Sequence, residues 1–184
     1  MKGIVFNPFQ DVVTRHHGED VWDDLVDAAD VEGAYTSLGS YADEEMEALV
    51  EAASKRLGLP PGEVVRWFGR EAMPLLAAQY PGFFEGHVSS RTFVLSVNDI
   101  IHVEVRKLYD GAQCPHFDFS DGPAGALVMH YRSGRRLCAL AQGFVEGAAA
   151  YYDEPVEFTH LSCVHKGDGA CVFQVRWPAL AAAA

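Results

Sequence analysis

The chain has 184 residues, enough for one domain of ordinary size with a substantial core. Hydrophobic residues make up 49% of it and aromatics 11%, so a bulky flat ligand would find stacking partners. A net charge of −12 excludes a basic nucleic-acid face and adsorption to an anionic membrane, while suiting a partner with a basic patch. No apolar run approaches the roughly 20 residues that a bilayer span needs. The start, MKGIVFNPFQ, carries one Lys and an apolar run too short for a signal peptide. The expected compartment is the cytoplasm, where the four Cys would be thiols or metal ligands rather than a disulfide framework.

Residues 1–18 open on a short apolar run and reach His16-His17, read as a solvated pair in a polar loop. Glu19 to Val31 is acidic with helical spacing (Val21, Trp22, Leu25, Val26). The stripe Met46, Leu49, Val50 and Ala53 predicts a helix over 43–57, with Gly58 as its C-cap. Pro60-Pro61 opens a helix expected over 62–70, and another is expected over 72–79. Ser89 or Ser90 caps a long helix reaching Tyr109, closed by Gly111.

The character then changes. Segments 115–120 and 125–133 read as strands, 135–152 as a helix, and 156–164 and 170–177 as a hairpin turning at Lys166-Gly167-Asp168-Gly169. The expected fold class is α+β. A helical N-terminal lobe, residues 1 to about 65, precedes an α+β lobe with a small antiparallel sheet, about 66–178, and a frayed tail over 179–184.

Two groups could carry chemistry at a pocket. Tyr131, Ser133 and Arg135 sit at a strand end, where alternate residues share a face. A phenol, a hydroxyl and a guanidinium suit carboxylates, though the same pattern fits a solvated strand end equally well. His102 lies on a helix, as a haem ligand would, but its helical neighbours mark only a boundary position.

Cys138, His160, Cys163 and Cys171 form a third group. His160-x-x-Cys163 has a metal-knuckle gap and Cys171 lies across the hairpin turn, so three thiolates and an imidazole could close a tetrahedral zinc site. His165 is a rival ligand, and four unrelated residues with Cys as small hydrophobes is the bland alternative. The helix after Arg135 carries Leu137, Leu140, Ala141, Phe144 and Val145 at helical spacing, an apolar face that core packing alone would explain. His87, His116 and His130 have no evident partners, Cys114 has no assigned role, and the acidic face over 43–51 reads as solvated. No nucleophile motif, phosphate loop or nucleotide fingerprint appears.

The opening Met1-Lys2-Gly3-Ile4-Val5-Phe6-Asn7, then His102, Pro115 and Tyr131-x-Ser133-x-Arg135, stand in the order and spacing of the haem-nitric oxide/oxygen binding (H-NOX) family. The chain resembles that family, which includes the sensor domain of soluble guanylate cyclase, over nearly its whole length. The resemblance implies haem b held between the lobes, with His102 as the proximal ligand of a five-coordinate ferrous iron. It implies that Tyr131, Ser133 and Arg135 hold the propionates and that Pro115 presses on the porphyrin. Leu140 stands where oxygen-binding members carry a Tyr, so the distal face with Leu140 and Phe144 would favour nitric oxide and carbon monoxide over oxygen. Some bacterial members carry structural zinc at the places of Cys138, His160, Cys163 and Cys171.

The implied function is a non-enzymatic nitric oxide sensor that signals in trans to a histidine kinase or a cyclic-di-GMP enzyme. A zinc-thiolate redox sensor with haem secondary is the alternative. A haem peroxidase would want distal His or Arg groups, which the inferred distal face does not offer.

Overall fold

The computed structural model describes residues 1–179, and all but the first residue of the tail expected over 179–184 lies outside them. The first segment is not a loop. Helix α1 spans Gly3–His17, with His16 and His17 in its last turn. Its stripe Phe6, Phe9, Val12 and Val13 is at most 1% exposed, which outweighs the break that Pro8 would impose.

Helix α2 covers Glu19–Ala29 and ends at Asp30, a left-handed residue with φ 54°. Helix α3 covers Asp43–Leu57. It carries three acids in its first turn and two bases in its last, both favoured by the helix dipole, and Gly58 caps it at φ 67°.

The two helices expected over 62–79 are one, α4, spanning Pro61–Gln79. Nothing breaks it because Gly69 serves packing. A Cβ there would stand 2.8 Å from the Leu140 carbonyl oxygen, and one on Gly143 would stand 2.1 Å from that of Arg66. The two glycines let α4 and the later helix α7, Cys138–Tyr151, run backbone against backbone.

The long helix expected over 90–109 is continuous but not uniform. Ser89 caps it, accepting from Thr92 N–H at 3.2 Å. Helix α5, Ser90–Ser96, passes through a π-turn at Val97–Ile101 into α6, His102–Leu108.

The strands are β1 (His116–Asp121), β2 (Leu127–Arg132), β3 (Glu157–Ser162) and β4 (Cys171–Arg176). They form one antiparallel sheet in the order β1-β2-β4-β3. Strand β1 has the expected length shifted by one residue, and the other three strands are shorter than their sequence patterns suggested. Helix α7 also starts late, at Cys138, because Arg136 adopts φ 56° and turns the chain first.

Two buried cores result. One gathers Phe6, Phe9, Trp22, Leu49 and Phe68 among the early helices. The other gathers Phe93, Phe117, Met129, Val145 and Phe173 around the sheet. They meet within α4, between Ala72 and Met73, and Phe144 of α7 packs against both. The architecture is α+β, a helical lobe followed by a lobe built on a small antiparallel sheet. Among the described residues, no helix is long and apolar enough to cross a membrane.

Candidate functional site

Between the cores lies a cavity of about 460 Å³. Val5, Pro8 and Phe68 line it from the helical lobe, and Val94, Met129 and Val145 from the other. That volume is within the range of sites for cofactors and drug-sized ligands.

His102 opens onto this cavity directly after the π-turn. Burial pushes its pKa down to about 4, helped by Arg106 and His116 and opposed by the Pro115 carbonyl. The imidazole is therefore neutral at pH 7, with a lone pair free for a metal. Its Nδ1 is buried without a hydrogen-bond partner among the described residues. The Phe117 ring lies nearly parallel to it, centroids 6.3 Å apart. Pro115 lines the same wall, as does Cys114, whose thiol burial pushes up in pKa.

Tyr131, Ser133 and Arg135 all reach the cavity although β2 stops at Arg132. None is idle. Tyr131 OH accepts from Leu137 N–H at 3.1 Å, and Ser133 Oγ accepts from Arg135 N–H at 3.2 Å. Arg135 donates through Nε to Asp43 at 2.8 Å and through Nη1 to the Gln113 carbonyl at 2.8 Å. Three guanidinium hydrogens remain for a ligand carboxylate.

Asp43 is a site residue that sequence reasoning took for part of a solvated face. It lies 2.7 Å from the Met1 amino group as well as bonding Arg135, so it ties the early helices to the cavity's mouth. Only the fold brings residues 43 and 135 together, and no local pattern signalled the pair.

Another part of the wall comes from Leu137 and α7. Leu137, Leu140, Ala141, Phe144 and Val145 all line the cavity, and none offers a side-chain hydrogen-bond donor. The cavity thus has a neutral imidazole, polar groups at one mouth and an apolar wall. These residues fit a haem with iron on His102, propionates at Tyr131, Ser133 and Arg135, and a dry gas-binding side.

On the other side of α7 the three thiols converge. Cys138, Cys163 and Cys171 are buried, with their sulfurs all within 4.8 Å of one another. Cys138 and Cys163 are 3.7 Å apart. A tetrahedral zinc with bonds of about 2.3 Å requires a sulfur separation of about 3.8 Å, so the spacing fits the ion. Backbone N–H groups help. Val164 donates to Cys171 Sγ at 3.4 Å. Burial works against ionising Cys163, but the His165 and Lys166 N–H groups and the neighbouring thiols overcome it and lower its pKa. Burial and the same neighbours push Cys138 up to about 12.

His160 is not brought into this group. Its Nε2 stands 2.9 Å from Gln142 Oε1, and its ring packs on Phe173 at 4.9 Å. The rival His165 meets the Arg136 carbonyl through Nε2 at 2.7 Å. Neither histidine touches the sulfurs, because both rings already have polar partners.

The model of the haem-NO-binding family, HNOB, matches residues 2–160. An H-NOX protein of Shewanella oneidensis, crystallised in its Fe(II)NO state, superposes with a TM-score of 0.90. The two are 31% identical, over 97% of this chain and 99% of that one. The Fe(II) unliganded H-NOX protein of K. algicida is 25% identical, with a TM-score of 0.86 over 98% of each chain. Soluble guanylate cyclase gcy-35 of Caenorhabditis elegans is 27% identical over 172 residues, and the match spans only 24% of that longer protein. Model, architecture and relatives agree, and the chain belongs to the haem-NO-binding (H-NOX) family.

Proposed function

We propose that this chain is a haem-based nitric oxide sensor that binds nitric oxide and carbon monoxide, discriminates against oxygen and signals to a separate protein. The observation that carries this reading is a half-buried His102, kept neutral by burial, lining one cavity with an apolar wall that lacks donors. Bound haem supplies a ferrous iron as the gas-binding atom.

His102 holds that iron. Tyr131, Ser133 and Arg135 would hold the propionates, and Pro115 would bear on the ring. Leu140 and Phe144 would keep water from the gas-binding space. That wall would offer oxygen no hydrogen-bond donor, whereas nitric oxide and carbon monoxide need none.

His102 starts α6 immediately after the π-turn, so a change in how firmly it is held passes into the helix that carries it. Residues 1–184 act as one sensing unit with no catalysis of its own. The signal passes in trans to a histidine kinase or a cyclic-di-GMP enzyme in the cytoplasm. Cys138, Cys163 and Cys171 hold a structural zinc, with His160 as fourth donor once it exchanges Gln142 for the ion.

The test is an absorption spectrum of the ferrous protein in air and then with nitric oxide. A five-coordinate ferrous spectrum that persists in air and changes with nitric oxide is expected. A stable oxygen complex would defeat the selectivity. The second reading, a redox sensor, draws on the lowered Cys163 thiol beside two others. It predicts that peroxide releases zinc and changes the partner's activity while the haem spectrum stays constant.

A further inference from the structure

The helix that carries His102 is fastened at three places. At its start, Glu154 accepts from Ser90 N–H at 2.8 Å, and Trp177 donates to Ser90 Oγ at 2.6 Å. Just past its end, Tyr109 and Tyr80 share a hydroxyl contact at 3.1 Å. In the middle there is Asn98.

Asn98 lies in the π-turn, four residues ahead of His102 and on the same helical face. Its Nδ2 donates to the Phe117 carbonyl at 2.6 Å, and its Oδ1 accepts from Phe117 N–H at 3.2 Å. Strand β1 is an edge strand, so these groups face away from β2, and the amide stands in for a missing strand. Among the described residues no other hydrogen bond joins 97–108 to the sheet.

Phe117 is where the pocket's parts meet. Its ring lies against His102, Pro115 is two residues upstream, and Tyr131 is its register partner on β2. One side-chain amide thus links the His102 helix to the segment of Pro115 and the strand of Tyr131. The link falls in the π-turn, a departure from regular helix bonding of the kind often found at functional sites.

We propose that Asn98 is the positioning residue for His102. Its clamp on Phe117 fixes the imidazole against the Pro115 segment and holds the π-turn in register. The proposal rests on the reading of His102 as the iron ligand. Asn98→Leu keeps the volume and removes both bonds, leaving two backbone groups of Phe117 without their partner. Asn98→Gln restores the amide one methylene further out and should recover part of the effect.

The test has two readouts. In the ferrous, haem-loaded protein, the iron–histidine stretching band should shift and broaden in Asn98→Leu and lie between the two in Asn98→Gln. In the haem-free protein, amide exchange over 97–104 should quicken by about tenfold in Asn98→Leu while α3 is unchanged. An unshifted band with unchanged exchange overturns the proposal. If Asn98→Leu takes up no haem, exchange alone decides. Acceleration confined to 97–104 supports the clamp, and uniform or absent acceleration overturns it. His102→Gly tests the underlying reading. Loss of the band there leaves only the clamp at issue, and its survival ends both claims.

Discussion

The cavity and the thiol cluster share one helix, and they are prepared for their ligands to different degrees. At the cluster, Cys138 reaches two thiols whose spacing already suits a tetrahedral ion. An ion entering there would find three sulfurs in place and need only proton loss and a fourth donor, and it would staple α7 to the β3–β4 hairpin. At the cavity, by contrast, Tyr131, Ser133 and Arg135 are engaged with Leu137, Arg135 and Asp43. A carboxylate ligand must share or displace those partners, and Asp43 belongs to the other lobe. Occupancy of the cavity is therefore felt between lobes, while occupancy of the cluster is felt locally. A sensor needs the first kind of site, and a fixed frame for α7 needs the second.

The largest effect that separates the two is loss of iron ligation. His102→Ala should abolish the five-coordinate ferrous haem spectrum and leave the zinc content unchanged, measured by absorption and metal analysis on one sample. Zinc lost together with haem would mean that the sites are not independent. Removing the metal comes second. Chelation, or Cys171→Ser, should lower the melting temperature by roughly 6–12 °C, as expected for a loss of about 3 kcal/mol in a chain of this size, while the haem spectrum keeps its shape. Calorimetry with and without chelator measures it.

Much of this division could be read from residue order, and the reasons are particular. Helix α3 was legible because its apolar stripe, terminal charges and Gly58 all agree. The wall of α7 was legible because five apolar residues at helical spacing all face one cavity. Cys138 follows from the same wheel, since about 200° of rotation from Leu140 turns it to the hairpin. Helix α1 was hidden because Pro8 interrupts it, and only burial of its stripe in a core made by distant helices overrides that break. Asp43 and Asn98 were hidden for a different reason. Each acts through one partner distant in sequence, Arg135 and Phe117, and a lone polar residue on a helix carries no sign of that partner. The histidine beside the thiols was legible as a ligand type, but Gln142 holds it elsewhere.

A smaller effect tests the apolar wall. Leu140→Tyr would give it one hydroxyl donor. A hydrogen bond to bound oxygen is worth about 1–1.5 kcal/mol net, so oxygen affinity should rise roughly tenfold. Nitric oxide and carbon monoxide binding should change less, and zinc content not at all. Ligand titrations followed by absorption decide it. Unchanged oxygen affinity would show that the hydroxyl turns away from the gas or that the wall does not set selectivity.

The smallest effect concerns the tie between lobes. Burial raises the Asp43 carboxyl, but the Met1 amino group and Arg135 more than offset this, so its pKa is lowered in the folded state. A carboxyl lowered on folding stabilises the fold above its unfolded pKa, about 3.9, and loses that contribution as pH falls through the folded value. Asp43→Asn should therefore unfold at lower urea than the parent at pH 7, and the gap should close as pH falls below about 4. The group is partly exposed, so the gap at pH 7 should be no more than about 1 kcal/mol. The variant also frees the Arg135 guanidinium for the cavity. If the cavity must compete with Asp43 for Arg135, haem retention should hold steady or rise in Asp43→Asn even as stability falls. Stability and haem retention falling together would instead mean that Asp43 positions Arg135 for the ligand, making the tie between lobes a part of the cavity.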